Sequence, residues 1–355
     1  MSKAFVSVLI DTYNHERYIE KAIRSVLEQD FPASDREIVV VEDGSTDRTA
    51  EIVRGFEPHV RLVQKANGGQ ASAFNVGIAE CTGEIVSFLD GDDWWAPGKL
   101  GRVAQVMRED SSIGLLGHGI FIVHMDGALQ EDALHESATF QANSLVGAQL
   151  FRVRKSFLGT SRMTIRSEVL GAIGLVPAPI KVQADEYLFT LAAVLSRTCI
   201  LAEPLTYYRM HDANLFQLSR QDPEASRNKQ ESLAALASSL SAELARLKID
   251  RGARTAITDV VQAEADQVRL TSSGGSGWEV VKNEWTIYSA LFPEASLPNK
   301  LLKAASLLPA IFVPARKFYA MRKRIVESRS YGRFRKRWFP AAKLSHVNTN
   351  WKTGS

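Results

Sequence analysis

The sequence predicts an α/β fold: a mostly parallel sheet flanked by helices, followed by a helical, basic C-terminal extension. Three observations predict it. Over the first 115 residues short β-branched runs alternate with stretches of helical periodicity, and such a β-α-β-α order builds a parallel sheet covered on both faces. Several of these runs end in acidic turns, at the sheet edge where α/β folds hold their ligands. From about residue 223 the composition changes to Ala, Leu, Ser and Glu with a helical character.

The elements follow in order. Val6-Ser7-Val8-Leu9-Ile10 reads as the first strand, turning at Asp11-Thr12-Tyr13-Asn14. Ile19, Ala22, Ile23, Val26 and Leu27 then recur at helical spacing, with Pro32 just beyond the helix end. Residues 37–42 contain Ile-Val-Val-Val, the composition of a strand buried on both faces. Asp43-Gly44-Ser45-Thr46-Asp47 is turn chemistry that also supplies helix N-caps. Residues 61–64 form a third strand, and Asn67-Gly68-Gly69 leads into a helix of small residues, 71–80. A fourth strand, 84–89, closes on Asp90-Gly91-Asp92-Asp93, and Pro97 opens an amphipathic helix carrying Leu100, Val103, Val106 and Met107. Further strands are expected at 114–125, 160–165 and 201–208, and helices at 185–195 and 223–249. The Ser/Gly run 272–277 reads as a flexible break before an appended C-terminal part.

Composition narrows the class. With 45% hydrophobic and 23% charged residues, the chain of 355 is globular rather than disordered. Two cysteines, Cys81 and Cys199, cannot build a disulfide framework and point to a reducing compartment. The first apolar run is too short for a signal peptide, and no run is long enough to span a bilayer. A soluble or peripheral cytoplasmic protein is therefore expected, on the inner face of the cell membrane if peripheral. Charge is unevenly placed. Residues 316–355 hold twelve Lys or Arg against Glu327 alone; of 43 basic and 40 acidic residues this leaves 31 and 39 in the body, a charge of −8. An apolar stretch from Leu301 to Pro314, broken by the two prolines Pro309 and Pro314, precedes that tail. Basic residues interleaved with Phe, Tyr and Trp over 316–339 suit an anionic membrane surface, or else a solvated basic helix packed on the acidic body. Nucleic acid is disfavoured as a partner, because no recognised binding module accompanies the charge.

Chemistry concentrates in the acidic turns. Asp90, Asp92 and Asp93 are three carboxylates in four residues, which repel one another unless a cation or several donors neutralise them. Hard oxygen ligands suit Mg²⁺ or Mn²⁺, usually shared with substrate phosphates. Alternatively the three form a solvated turn that caps the helix opened by Pro97. The buried strand before them and Trp94-Trp95 after them weigh against that. Asp43 either accepts hydrogen bonds from a base or ribose or caps the helix after Thr46.

Three segments, VSVLIDTYNHERYIEKAIRSVLEQDFP, VVVEDGSTDRT and NGGQASAFNVGIAECTGEIVSFLDGDDWWAPGKL, resemble the family 2 glycosyltransferases of the GT-A fold. The resemblance is strong over residues 5–110 and weaker to about 215. It implies a GT-A domain over 1–215, with a nucleotide-sugar half (1–110) and an acceptor and catalytic half (111–215), and leaves 216–355 as the extension. It implies inverting transfer from a nucleotide-diphospho-sugar, UDP first among the nucleotides, to a glycan or lipid-linked acceptor, with Mn²⁺ or Mg²⁺. By the same resemblance Asp43 meets the base, and Asp11 and Tyr13 line its pocket. Asn67, Gly68 and Asn75 lie beside the nucleotide. Asp90 and Asp92 are the DxD pair, Asp92 nearest the metal and Asp90 towards the ribose. Glu186 stands at the position of the base that deprotonates the acceptor, with Asp185 next to it as the other candidate. Their alternative role is that of two acids favoured by a helix dipole. Tyr207-Tyr208-Arg209-x-His211-x-x-Asn214 resembles the segment closing the far side of the site, where a histidine can complete the metal or diphosphate shell. His211 either does so or is structural, and Arg209 either contacts the diphosphate or pairs with an acid on the body.

Other classes fit less well. A nucleotidyltransferase opens with a glycine-rich basic loop where DTYNHERY stands, and a dehydrogenase needs G-x-G-x-x-G there. A catalytically degenerate sugar-nucleotide-binding or scaffold protein would explain Asp11 and Phe74, which depart from the family pattern; donor turnover tells it apart.

Overall fold

The computed structural model describes residues 5–211, 223–292 and 295–327; Asn214 and most of the basic tail lie outside them. The chain divides into two compact units, Met1–Ala265 and Asp266–Ser355.

The first unit is built on a ten-stranded sheet: eight strands follow the order β3-β2-β1-β4-β9-β6-β10-β5, and two short ones, β7 and β8, pair beside them. Its left half is β1 (Val6–Thr12), β2 (Arg36–Glu42), β3 (Arg61–Gln64) and β4 (Ile85–Asp90), all parallel. The other half is mixed. β9 (Thr164–Arg166) runs antiparallel to both β4 and β6 (Ile113–Val123). β10 (Arg197–Arg209) is parallel to β6 and takes β5 (Trp94–Trp95) antiparallel on its free edge. β7 (Leu129–Asp132) and β8 (Ala138–Phe140) are antiparallel additions to β6 and β10.

Helices cover both faces, as the buried β-branched runs require. On one face Val6, Val8 and Ile10 pack with Ile19, Ile23 and Val26 of α1 (Ile19–Leu27) and with Leu100, Val103 and Met107 of α4 (Lys99–Glu109). α2 (Thr49–Arg54) contributes Val53 to the same cluster. On the opposite face lies α3 (Gln70–Glu80), whose small residues let it approach the sheet closely. A Cβ at Gly77 would lie 2.3 Å from Leu9 Cδ1. Phe74 is fully buried and meets Phe88 edge-on at 5.3 Å. Three further helices, α5 (Leu145–Arg154), α6 (Ser167–Ile173) and α7 (Ala184–Leu195), follow, of which α7 carries the two acids singled out above.

Two sequence expectations are corrected. The strand at 160–165 is only three residues long, preceded by a 3₁₀ turn at Thr160–Arg162. Ser161 bonds to distant partners through both side chain and carbonyl, and such bonds compete with a strand ladder. Asp43 does not cap α2, whose N-cap position is Arg48 with no side-chain cap bond.

The rest of the described chain is helical. α8 (Pro223–Arg246) and α9 (Arg251–Ser272) come first. The Ser/Gly run is an ordered turn rather than a flexible break: Ser276 and Glu279 form a capping box that starts α10 (Gly277–Leu291). In the second unit α10, α11 (Leu297–Phe312) and α12 (Ala315–Glu327) enclose a small core of Leu270, Val280, Leu307, Ala310 and Phe318. Glu284, 1% exposed, is ion-paired there with Lys303 at 2.9 Å and with Arg322. Pro309 sits inside α11, so the apolar stretch is one helix up to Phe312. No described helix is long and apolar enough to cross a membrane.

Candidate active site

The parallel register of β1 and β4 sets Asp11 opposite Asp90 at the carboxyl ends of both strands. The turn that follows is held to β1 by the Gly91 N–H, which donates to the Asp11 carbonyl at 2.9 Å. Glycine is needed there, because a Cβ at Gly91 would lie 2.5 Å from Thr12 Oγ1. The turn gathers Asp90, Asp92 and Asp93, each with a carboxylate oxygen within 4.8 Å of the others. Ser161 organises them: its hydroxyl donates to Asp93 at 2.6 Å, lies 3.3 Å from Asp90 Oδ2 and accepts the Asp90 N–H at 3.1 Å. The Ser161 carbonyl in turn accepts from Lys99 Nζ at 3.0 Å and from Thr206 Oγ1 at 2.8 Å. Lys99 is wholly buried with its ammonium over the Trp95 ring, and burial drives its pKa well down.

On the other side of the turn His211 Nε2 meets Asp92 Oδ2 at 2.9 Å, and His15 Nε2 lies 3.9 Å from the same oxygen. Arg209 grips the turn twice, its N–H donating to Asp93 and its Nε to the Asp92 carbonyl, both at 2.9 Å. Its guanidinium lies over Tyr18 and Trp94, and Trp94 stacks on Tyr207 at 5.1 Å.

This much acid in one place is electrostatically costly. Burial, then the charge of Asp92, pushes Asp11 up to about 8, and the same two causes push Asp93 up to about 8. Asp90 is raised by burial and by Asp11, Asp92 and Asp93. Burial would raise Asp92 as well, but the hydrogen bond from His211 and the imidazoles of His15 and His211 hold it below the usual carboxylate range. Asp11 Oδ1 is buried without a hydrogen-bond partner among the described residues. Several hard oxygen donors with one imidazole, short of positive charge, fit a divalent cation such as Mn²⁺ or Mg²⁺.

Beside this cluster Asp43, almost fully buried, accepts the N–H groups of Gly68 at 3.0 Å and Gly69 at 2.8 Å and is ion-paired with Lys65. Asn67 Nδ2 donates to the Asp43 carbonyl at 3.0 Å. Gly44 and Gly69, both at positive φ, permit this tight loop. Tyr13 is exposed, 42%, just past β1. Asn75 does not join them: its amide donates to the Val176 carbonyl at 2.9 Å and accepts the Val176 N–H at 2.8 Å.

The two acids of α7 part company. Asp185 accepts the Thr160 N–H at 3.2 Å, and its charge acts on both Asp11 and Asp90. Burial, then the neighbouring Glu186, pushes it up to about 6. Glu186 instead meets Lys155 Nζ at 2.7 Å, and Lys155 bridges to Glu264 at 2.9 Å. Burial would lower the Lys155 ammonium, but the two carboxylates outweigh it and hold its pKa above the ordinary value. Lys155→Met therefore leaves Glu186 buried and unpaired, next to a partly exposed Glu264. A loss of about 3–5 kcal/mol is expected, seen as a Tm lower by roughly 5–10 °C in thermal denaturation; a Tm within a degree of wild type would contradict this account of the pair.

The sequence did not single out Ser161, Lys99, Thr160, His15, Lys65 or Lys155. Only Lys99 left a local signal, a lysine next to Leu100 at the start of an amphipathic helix that has no salt-bridge partner in spacing.

Residues 7–153 match the profile of glycosyl transferase family 2. A glycosyltransferase of Nostoc sp., alr2836, is 36% identical over 219 residues, covering 59% of this chain and 66% of that protein. The poly(ribitol-phosphate) β-N-acetylglucosaminyltransferase TarS of Staphylococcus aureus is 27% identical over 208 residues, 57% of this chain and 35% of TarS. The chain thus spans less than two thirds of the length of these curated relatives. The crystal structure of TarS 1–349 in complex with UDP-GlcNAc shares the fold, with a TM-score of 0.58 at 21% identity, over 93% of this chain and 91% of that one. So does a mannosyltransferase of Pyrobaculum calidifontis in complex with GDP-Man and Mn²⁺, with a TM-score of 0.51 at 19% identity, over 95% and 88%.

Proposed function

Since the chain belongs to glycosyltransferase family 2 and has the GT-A fold, we propose that it is an inverting enzyme. It moves a sugar from a UDP-sugar to a hydroxyl of a glycan or lipid-linked acceptor, in polysaccharide or glycoconjugate synthesis. One observation carries this reading: four carboxylates converge at the carboxyl ends of β1 and β4, three of them raised in pKa. That is where an α/β sheet holds its ligand. Asp92, Asp90 and His211 would hold the cation, Mn²⁺ or Mg²⁺, which when bound neutralises charge on a departing diphosphate. Arg209, fixed on the same turn, binds the diphosphate from the side of Trp94.

Asp43 with the Asn67-Gly68-Gly69 loop and Tyr13 receives the nucleoside. Asn75, bonded at both ends to Val176, braces α3 rather than touching the donor. For the acceptor proton we assign Asp185, in preference to Glu186. A base is most effective with a pKa near the working pH and a free lone pair; Asp185 at about 6 meets the first condition, whereas Glu186 is held by an ammonium. The bound donor in the TarS structure supports UDP, the Mn²⁺ beside GDP-Man in the mannosyltransferase supports the metal, and the name of TarS supports a polymeric acceptor.

Incubation with UDP-N-acetylglucosamine and Mn²⁺ is expected to release UDP slowly, by transfer to water, and without release in EDTA. No release from any UDP-, GDP- or dTDP-sugar, with nucleotide still bound, would instead favour the non-catalytic binding protein.

A further inference from the structure

The second unit carries a feature that sugar transfer does not use. Leu297, Leu301, Leu308 and Phe312 of α11 are 69, 61, 57 and 84% exposed. At about 100° per residue they fall within roughly 60° of one another, so they form one stripe along the whole helix. Ala304, Ala305 and Ile311, also exposed, widen it. The helix already buries a separate face, Leu307 and Ala310, in the core of its unit. The stripe is therefore surplus to folding, and exposed apolar surface of this extent marks an interaction site.

The chain that follows its C-terminal end is basic. Phe312 is followed four and five residues later by exposed Arg316 and Lys317, at the start of α12. Residues 316–355 hold twelve basic residues and Glu327 alone. The start of α10 packs against the same end of α11, since a Cβ at Gly277 would lie 2.3 Å from the Ala310 carbonyl oxygen. That sets Trp278, 69% exposed, at this end as well.

We propose that α11 lies flat in the headgroup region of an anionic membrane, its Leu297–Phe312 stripe and Trp278 in the acyl boundary and Arg316 and Lys317 on the lipid phosphates. A leucine stripe, an indole and a cationic flank are the components of an interfacial helix. The polybasic run that follows supplies the second signal which stable anchoring needs. Insertion across the bilayer is not implied, as the helix is too short. The charge complementarity selects lipid over a second copy of the chain, which would bring like charge against like.

The test is co-sedimentation of the full chain, without donor or metal, with vesicles of phosphatidylcholine alone or mixed with phosphatidylglycerol. The protein is expected to pellet with the mixed vesicles only, and less so at high salt. Leu301→Glu with Phe312→Glu, at positions open to solvent, is expected to cut partitioning at least about tenfold, and Arg316→Glu with Lys317→Glu to act similarly. Tm and UDP-sugar hydrolysis stay as in wild type, so a failed docking result leaves the transfer reading standing, and the reverse. Wild type that stays in the supernatant, or a Leu301/Phe312 variant that pellets as well as wild type, overturns the proposal. Self-association of wild type, lost in that variant without any vesicle binding, overturns it too and makes the stripe a contact between copies.

Discussion

Asp92→Asn is expected to fold normally and to lose transfer by a factor on the order of 10²–10³, the usual cost of removing one group that stabilises transition-state charge. The side chain is 13% exposed and an amide of the same shape can still meet His211 Nε2. The substitution also removes a like charge that raises Asp11, Asp90 and Asp93, so those three carboxyls should relax towards their ordinary range. Metal-free Tm is therefore expected to be no lower than that of wild type, while the Mn²⁺ concentration needed for half-maximal turnover rises. A fall in activity accompanied by a matching fall in Tm would mean that Asp92 serves the fold. Turnover equal to wild type would remove it from the chemistry.

Asp185→Asn should cost about 10²–10⁴ in transfer, the range for a general base, and it should also change the pH profile. The sign follows from the protonation state. Burial and Glu186 hold Asp185 at about 6, and only the ionised form accepts a proton. Activity of wild type therefore falls as pH drops through about 6, roughly tenfold per unit below it. In Asp185→Asn that acid limb disappears. Glu186→Gln removes the second largest cause of the raised pKa, so the limb moves below about 6 while activity persists. The same variant leaves Lys155 with Glu264 alone and should be less stable. Loss of the acid limb in Glu186→Gln, with Asp185→Asn still active, would reverse the assignment of the two residues.

The donor half of the fold was legible because its signals are local. β1, β2 and β4 are β-branched, largely buried runs, and β3 is a short, half-exposed edge strand; the structure bounds each within one or two residues of the sequence reading. The acidic turn was legible for the same reason, as three carboxylates in four residues after a buried strand need an explanation on any fold. What supports that turn was not legible. Ser161 lies 71 residues from Asp90 and 62 from Lys99 along the chain, and its polar bonds also shortened a predicted strand. β5 is two residues long, too short for a period to register. Asn75 looked like a ligand contact, yet its amide is taken up by Val176, 101 residues on. Asp185 and Glu186 are the sharpest case. Adjacent on one helix, they point about 100° apart, and only Lys155 and Glu264, brought from two other helical segments, distinguish their surroundings.

The most direct test of the account is calorimetric titration of UDP into the protein, with and without Mn²⁺, repeated on Asp92→Asn. Asp11, Asp90, Asp92 and Asp93 are held together at the carboxyl ends of β1 and β4, and a diphosphate should bind there only when a cation offsets that charge. UDP binding that requires Mn²⁺ in wild type and weakens at least about tenfold in the variant, a change of about 1.4 kcal/mol, is the result predicted. UDP binding of equal strength with and without Mn²⁺, unaltered in Asp92→Asn, would contradict the assignment of the acidic turn as the metal and diphosphate site.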